Sequence, residues 1–143
     1  MELGKQYQHI LCKRSYQGGK EVKYNKDGYR NEKRSANDKR EICCPRSHAS
    51  LGVVKWIEYN GTESHKEILN KWFDETFVKV TVYVESLDEL YTIYHLAKEK
   101  ELPVRLITDN GLTMFNGVKT DTCLAILGER EKVDEVTGHL KLL

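Results

Sequence analysis

Three side chains stand where residue type and spacing could support hydrolytic chemistry: Asp109 and Thr113 in Asp109-Asn-Gly-Leu-Thr113, and His48 in Ser47-His-Ala-Ser-Leu-Gly52. Asp109 follows an apolar run that reads as a strand, Val104-Arg-Leu-Ile-Thr108. Gly111 permits a tight turn that would aim Asp109 and Thr113 into one crevice. Ligands of open α/β sheets sit beyond the carboxyl ends of strands. A carboxylate there can orient water or a histidine for ester hydrolysis, and a threonine hydroxyl can position the substrate. The same Asp-x-Gly-x-Thr pattern also suits an ordinary turn with a satisfied aspartate. His48 falls in the expected first turn of a helix capped by Ser47, where it could act as a base or stabilise an oxyanion. The helix N-terminus itself would favour anions. A solvent-exposed histidine near a cap is the bland alternative. His139, inside the apolar C-terminal string, reads as structural, and His9, His65 and His95 have no partner at ligand spacing.

The elements that would hold these groups become clear from Ser47 onward. Ala49, Val53, Val54 and Ile57 recur at helical spacing, and Ser64-His-Lys-Glu67 reads as a capping box opening a second helix with Ile68, Leu69, Trp72 and Phe73. Val78-Lys-Val-Thr-Val-Tyr-Val84 alternates as a half-buried strand. Ser86-Leu-Asp-Glu89 caps a third helix with a stripe of Leu90, Ile93, Leu96 and Ala97, and Pro103 separates it from strand 104–108. This strand–helix–strand succession predicts a right-handed β-α-β unit with parallel strands. Thr122–Leu127 reads as a last strand and Glu131 to about Thr137 as a short last helix. The fold class is α/β: one small domain with a mixed four-stranded sheet and helices on both faces.

The 143 residues suffice for one domain with a modest core. Neither a membrane span nor a signal-peptide pattern is present, so the sequence predicts a cytosolic protein without a membrane partner. The four cysteines, Cys12, Cys43, Cys44 and Cys123, contain no C-x-x-C pair and read as free thiols. The net charge of +1 hides a split: residues 1–46 carry 12 Lys/Arg against 6 Asp/Glu, and residues 47–143 carry 11 against 16. The first segment, 1–46, reads as a basic, irregular or aberrant arm, and 47–143 as the folded domain.

The closing string Val136-Thr-Gly-His-Leu-Lys-Leu-Leu143 is the most distinctive in the chain. With Asp109–Thr113, Ser47–Gly52, Asn116-Gly-Val118 and Thr122-Cys-Leu-Ala-Ile126, it resembles the second, archaeal- and eukaryotic-type family of peptidyl-tRNA hydrolases over about residues 47–143. Asn110 replaces the usual alanine of the Asp-Ala-Gly-x-Thr loop. The resemblance implies hydrolysis of the ester joining a peptide to the 3′ end of tRNA, with no metal or other cofactor, in a homodimer. It also implies that His48, Asp109, Thr113 and Thr122 are active-site positions, the first two as an acid–base or water-positioning pair and the threonines as substrate-positioning hydroxyls.

The family's opening strand and its R-K-D-L-x-M-x-K-G-K motif have no counterpart in residues 20–46, and Glu41 stands where its lysine is expected. The genetic code offers a reason. Read one base downstream, Glu41 before Ile42 becomes lysine or arginine, and Cys43 and Cys44 each become alanine or valine. With permitted codons, residues 32–45 yield RKDLQMTKGKFAAQ and residues 26–31 yield KMVIVM. Residues 20–46 are therefore expected to be out-of-frame translation with a slip near Arg46/Ser47. On that expectation a central strand and the lysine are lost, giving poor folding and low activity. Lys33, Lys39 or Arg40 could substitute from a rearranged loop. The alternative function is a non-catalytic tRNA- or ribosome-binding protein that uses residues 1–46 as a basic arm.

Overall fold

The computed structural model describes residues 4–13, 36–109 and 119–143. The sheet has five strands, not the four expected: β1 (Gln6–Lys13), β2 (Val78–Val84), β3 (Val104–Asp109), β4 (Thr120–Glu129) and β5 (Lys141–Leu142). Their spatial order is β3-β4-β1-β2-β5, with β1 parallel to β2 and antiparallel to β4. Strands β2 and β3 run the same way, as expected, but β4 and β1 lie between them. The fifth strand is the tail of the chain, where Lys141 and Leu142 pair with Tyr83 and Val82.

The main correction concerns the centre of the sheet. A disrupted first strand was expected, whereas Gln6–Lys13 fills the middle position, inside the segment read as an irregular arm. Its polar residues hid it, because Gln6, Gln8 and His9 break the apolar pattern yet are all buried. Buried polar groups survive when they are hydrogen-bonded, and here Gln8 is paired at both amide atoms and His9 at Nδ1. Ser50 Oγ donates to Gln8 Oε1 at 2.6 Å, and Gln8 Nε2 donates to the Ser50 carbonyl at 3.1 Å. On the opposite face, His9 Nδ1 meets Thr137 Oγ1 at 2.6 Å, while that hydroxyl donates to the Val133 carbonyl. The hydroxyl's proton is thereby committed, so His9 carries its own proton on Nδ1. Burial depresses the His9 pKa, and the Asp134 carboxylate only partly opposes this.

Helices cover both faces, as expected. On one side, α1 (Ala36–Asn60) and α2 (Glu63–Lys71) bury Ala49, Val53, Ile57 and Leu69 against Ile10, Cys12, Cys123 and Ala125. On the other, α3 (Leu87–Glu99) and α4 (Arg130–Thr137) bury Leu90, Ile93, Val133 and Val136 against Leu11, Val82 and Leu124. Trp72, 1% exposed, closes the first layer in a π-helical turn, Trp72–Thr76, and its indole donates to the Val78 carbonyl at 2.9 Å.

Two helix starts differ from expectation. The N-cap of α2 is Thr62, not Ser64, and His65 completes the box by accepting from the Thr62 amide. Helix α1 begins at Ala36, so Ser47 is not a cap. Residues 36–41 supply good helix formers (Ala, Lys, Arg, Glu), and the helix continues through Pro45. The sheet thus draws its central strand from 1–46, and α1 runs across the 46/47 junction. No helix among the described residues is long and apolar enough to cross a membrane.

Candidate functional site

Strands β1 and β3 end on the same edge of the sheet at which β4 begins, and the backbone of Asp109 and the residue Thr122 lie there. Asp109 is the last residue of β3, paired with Thr120. Thr113 lies outside the described residues, as does the Asp109 side chain. His48 is exposed on α1, about 18 Å along the helix from its first residue at 1.5 Å per residue. That distance removes the helix-terminus field invoked for it, since such fields fade within the first turn. One turn beyond His48, a Cβ built on Gly52 would lie 3.0 Å from Ile107 Cδ1 and 3.3 Å from Arg105 Cγ. The side of α1 that bears His48 and Gly52 therefore leans on β3, the strand that ends in Asp109.

Thr122 is placed by a feature invisible in the sequence. Ile107 pairs with Cys123 and Thr108 with Asp121, so Thr122 is the extra residue of a β-bulge in β4. Bulges re-aim side chains and recur beside active sites. The Thr122 hydroxyl is buried, and its oxygen makes no hydrogen bond of normal geometry. Beyond the bulge Asp121 is held firmly, accepting from Tyr91 Oη at 2.5 Å and Thr108 Oγ1 at 2.6 Å. The Asp121 hydrogen bond raises the Tyr91 pKa. Sequence reading missed this carboxylate, because its partners come from α3 and β3 and share no local spacing with it.

A second missed residue is Arg46, half-buried on α1. Its guanidinium reaches the sulfur of Cys12, which faces Cys123 across the β1–β4 pair. Arg46 Nε is buried without a partner. Hydrogen bonding from the Cys123 thiol, with Arg46 assisting, lowers the Cys12 pKa, while Cys123 is raised by that same bond and by burial. Arg46 and Thr122 thus both adjoin Cys123.

The remaining histidines are structural or exposed. His139 is exposed rather than part of the core; the buried polar residue of that string is Thr137, the partner of His9. His65 accepts from the Thr62 amide at Nδ1, which leaves Nε2–H to donate to the Glu101 carbonyl at 3.0 Å. Trp56, Tyr94, Lys98 and Arg105 line an open cleft of about 260 Å³ that reaches Val104, at the end of β3 away from Asp109, and it shares no residue with the candidate site.

A family model described as peptidyl-tRNA hydrolase PTH2 matches residues 37–143, beginning ahead of the Ser47 at which the resemblance is first legible. A peptidyl-tRNA hydrolase of Nanoarchaeum equitans is 37% identical over 105 residues, covering 73% of this chain and 87% of the relative. One of Sulfurisphaera tokodaii is 40% identical over 106 residues, with 73% and 87% covered. One of Methanothermobacter thermautotrophicus is 41% identical over 106 residues, with 73% and 88% covered.

Proposed function

The chain belongs to the PTH2 family of peptidyl-tRNA hydrolases, and from that membership we propose that it cleaves the ester of peptidyl-tRNA at the edge of the sheet where β1 and β3 end and β4 begins. Hydrolytic release of peptide from tRNA, which recycles the tRNA, is the activity of the family. The proposal for this chain is the division of labour. Water attacks the ester carbonyl carbon and gives its proton to Asp109. The bond to the ribose oxygen breaks, and His48 supplies the proton that oxygen needs. Thr113 and Thr122 position the substrate. Arg46 stabilises the charge that develops on the carbonyl oxygen, in place of the lysine that Glu41 displaces.

One observation carries this reading. Among the described residues only three buried side-chain polar atoms lack a hydrogen-bond partner, and two of them, Thr122 Oγ1 and Arg46 Nε, flank Cys123 at this edge. Contacts of Thr122 with Cys123 and of Arg46 with Cys12 hold both side chains at this end of the sheet, which supports a role for them together. Release of peptide from peptidyl-tRNA by the full-length chain tests the reading. Arg46→Gln should lower kcat/KM at least tenfold, with Arg46→Lys retaining part of it. A folded chain that binds tRNA without releasing peptide would overturn it in favour of a binding role.

Two further elements belong to the same proposal. The family supports tRNA as partner and a homodimer, which sedimentation of the chain alone would check. The out-of-frame origin of residues 20–46 rests on the codon reading, and the family match begins at residue 37, ahead of the expected slip near Arg46/Ser47. On that reading Gln6–Lys13 occupies the place of the family's opening strand. Codons 20–47 that cannot yield R-K-D-L and K-G-K one base downstream would sink it.

A further inference from the structure

Cys12 and Cys123 are direct partners in the β1–β4 ladder, and both point into the layer beneath α1. Opposed residues of antiparallel strands have Cα atoms about 4.5–5.5 Å apart, inside the range of about 4.4–6.8 Å that a disulfide spans. The two sulfurs already lie within hydrogen-bonding contact of one another, and the Arg46 guanidinium lies against the Cys12 sulfur. Cys12 is the more open of the two, at 8% exposure against 1%. Both are free thiols.

We propose that Cys12 and Cys123 form a reversible redox site, a dithiol that hydrogen peroxide converts to a cross-strand disulfide. The cation beside Cys12 favours its thiolate, which is the nucleophilic form. That sulfur attacks one peroxide oxygen, the O–O bond breaks, and Cys12 becomes a sulfenic acid as hydroxide leaves. The Cys123 sulfur then attacks the Cys12 sulfur and expels the hydroxyl, which departs as water with the Cys123 proton. Two thiols lose two electrons in total, and one peroxide becomes two waters. A thiol reductant reverses the bond by exchange. Because Cys123 adjoins the bulged Thr122, the bond would stiffen β4 beside the site. The inference rests on the strand register and the contacts of the two sulfurs, and does not depend on the hydrolytic reading.

The experiment uses full-length chain carrying Cys43→Ser and Cys44→Ser, which leaves Cys12 and Cys123 as the only cysteines. After peroxide treatment and quenching, thiols are counted in denaturant and tryptic peptides are mapped by mass. The expected result is a fall from two thiols to none and a linked peptide pair joining Cys12 to Cys123. A reductant should restore both thiols, and the oxidised monomer should melt at higher temperature than the reduced one, since a loop of roughly 110 residues is closed. Two thiols surviving treatment, cross-links between chains only, or sulfinic acid on Cys12 without a link would each overturn the proposal. The chain with all four cysteines must give the same Cys12–Cys123 pair, and a link from either of them to Cys43 or Cys44 instead would overturn the proposal.

Discussion

Thr122→Val separates a substrate-binding hydroxyl from a structural one more sharply than any other change in this chain. Valine keeps the β-branch that suits an extended backbone and fills nearly the same volume. What it removes is one oxygen that is buried yet makes no hydrogen bond of normal geometry in the folded chain. An unsatisfied buried hydroxyl costs roughly 1–3 kcal/mol, so the variant should be as stable as the parent or more stable by about 1 kcal/mol. Catalysis should move the other way. Losing a hydrogen bond that strengthens in the transition state, worth about 1.5–3 kcal/mol, lowers kcat/KM by about 10- to 150-fold. Guanidinium unfolding gives the first quantity, and peptide release from peptidyl-tRNA gives the second. Thr122→Ser, which keeps the hydroxyl, should keep most of the activity. A valine variant that loses more than about 1 kcal/mol of stability while hydrolysing at the parent rate would refute the assignment.

Three other outcomes are expected. Ser50→Ala leaves the buried Gln8 Oε1 without its donor while the Ser50 carbonyl still accepts from Nε2, and it should cost about 1–3 kcal/mol in denaturant unfolding, part of which Gln8→Leu in the same chain should recover. The lowered His9 pKa means the unfolded chain binds the proton more tightly, so stability should hold above about pH 6.5 and decline as pH falls below it. Asp134 faces His9 at 3.8 Å and only partly offsets this; His9→Gln should flatten the profile of unfolding midpoint against pH. Asp121→Asn should bring the raised Tyr91 titration back toward the ordinary phenol range, measured by ultraviolet difference absorbance with Tyr91→Phe identifying the transition.

Much of the frame was legible because local patterns agree with the tertiary result. The alternation of Val78–Val84, the Ser86 cap of α3 and the stripe of Leu90, Ile93 and Ala97 each need only neighbouring residues to act. The family was legible too, since Asp109–Thr113 and Val136–Leu143 are contiguous strings. Positions that depend on distant partners were not. Gln6–Lys13 reads as polar until Ser50 and Thr137 are brought to it, 42 and 128 residues away. The helical start at Ala36 also escaped notice, and with it went the helix-terminus argument for His48.

By itself, then, the sequence determined the family, the α/β class and the identity of His48, Asp109, Thr113 and Thr122 as positions of interest. Periodicity and short motifs are properties of neighbouring residues, and they survive without knowledge of the fold. Only the tertiary structure decided which segment fills the centre of the sheet, because burial of Gln8 and His9 is tolerable only with partners from other elements. It alone set Thr122 on a bulge beside Arg46 and opposed Cys12 to Cys123, since strand register is fixed by pairing across the sheet and is written in no local stretch of the chain.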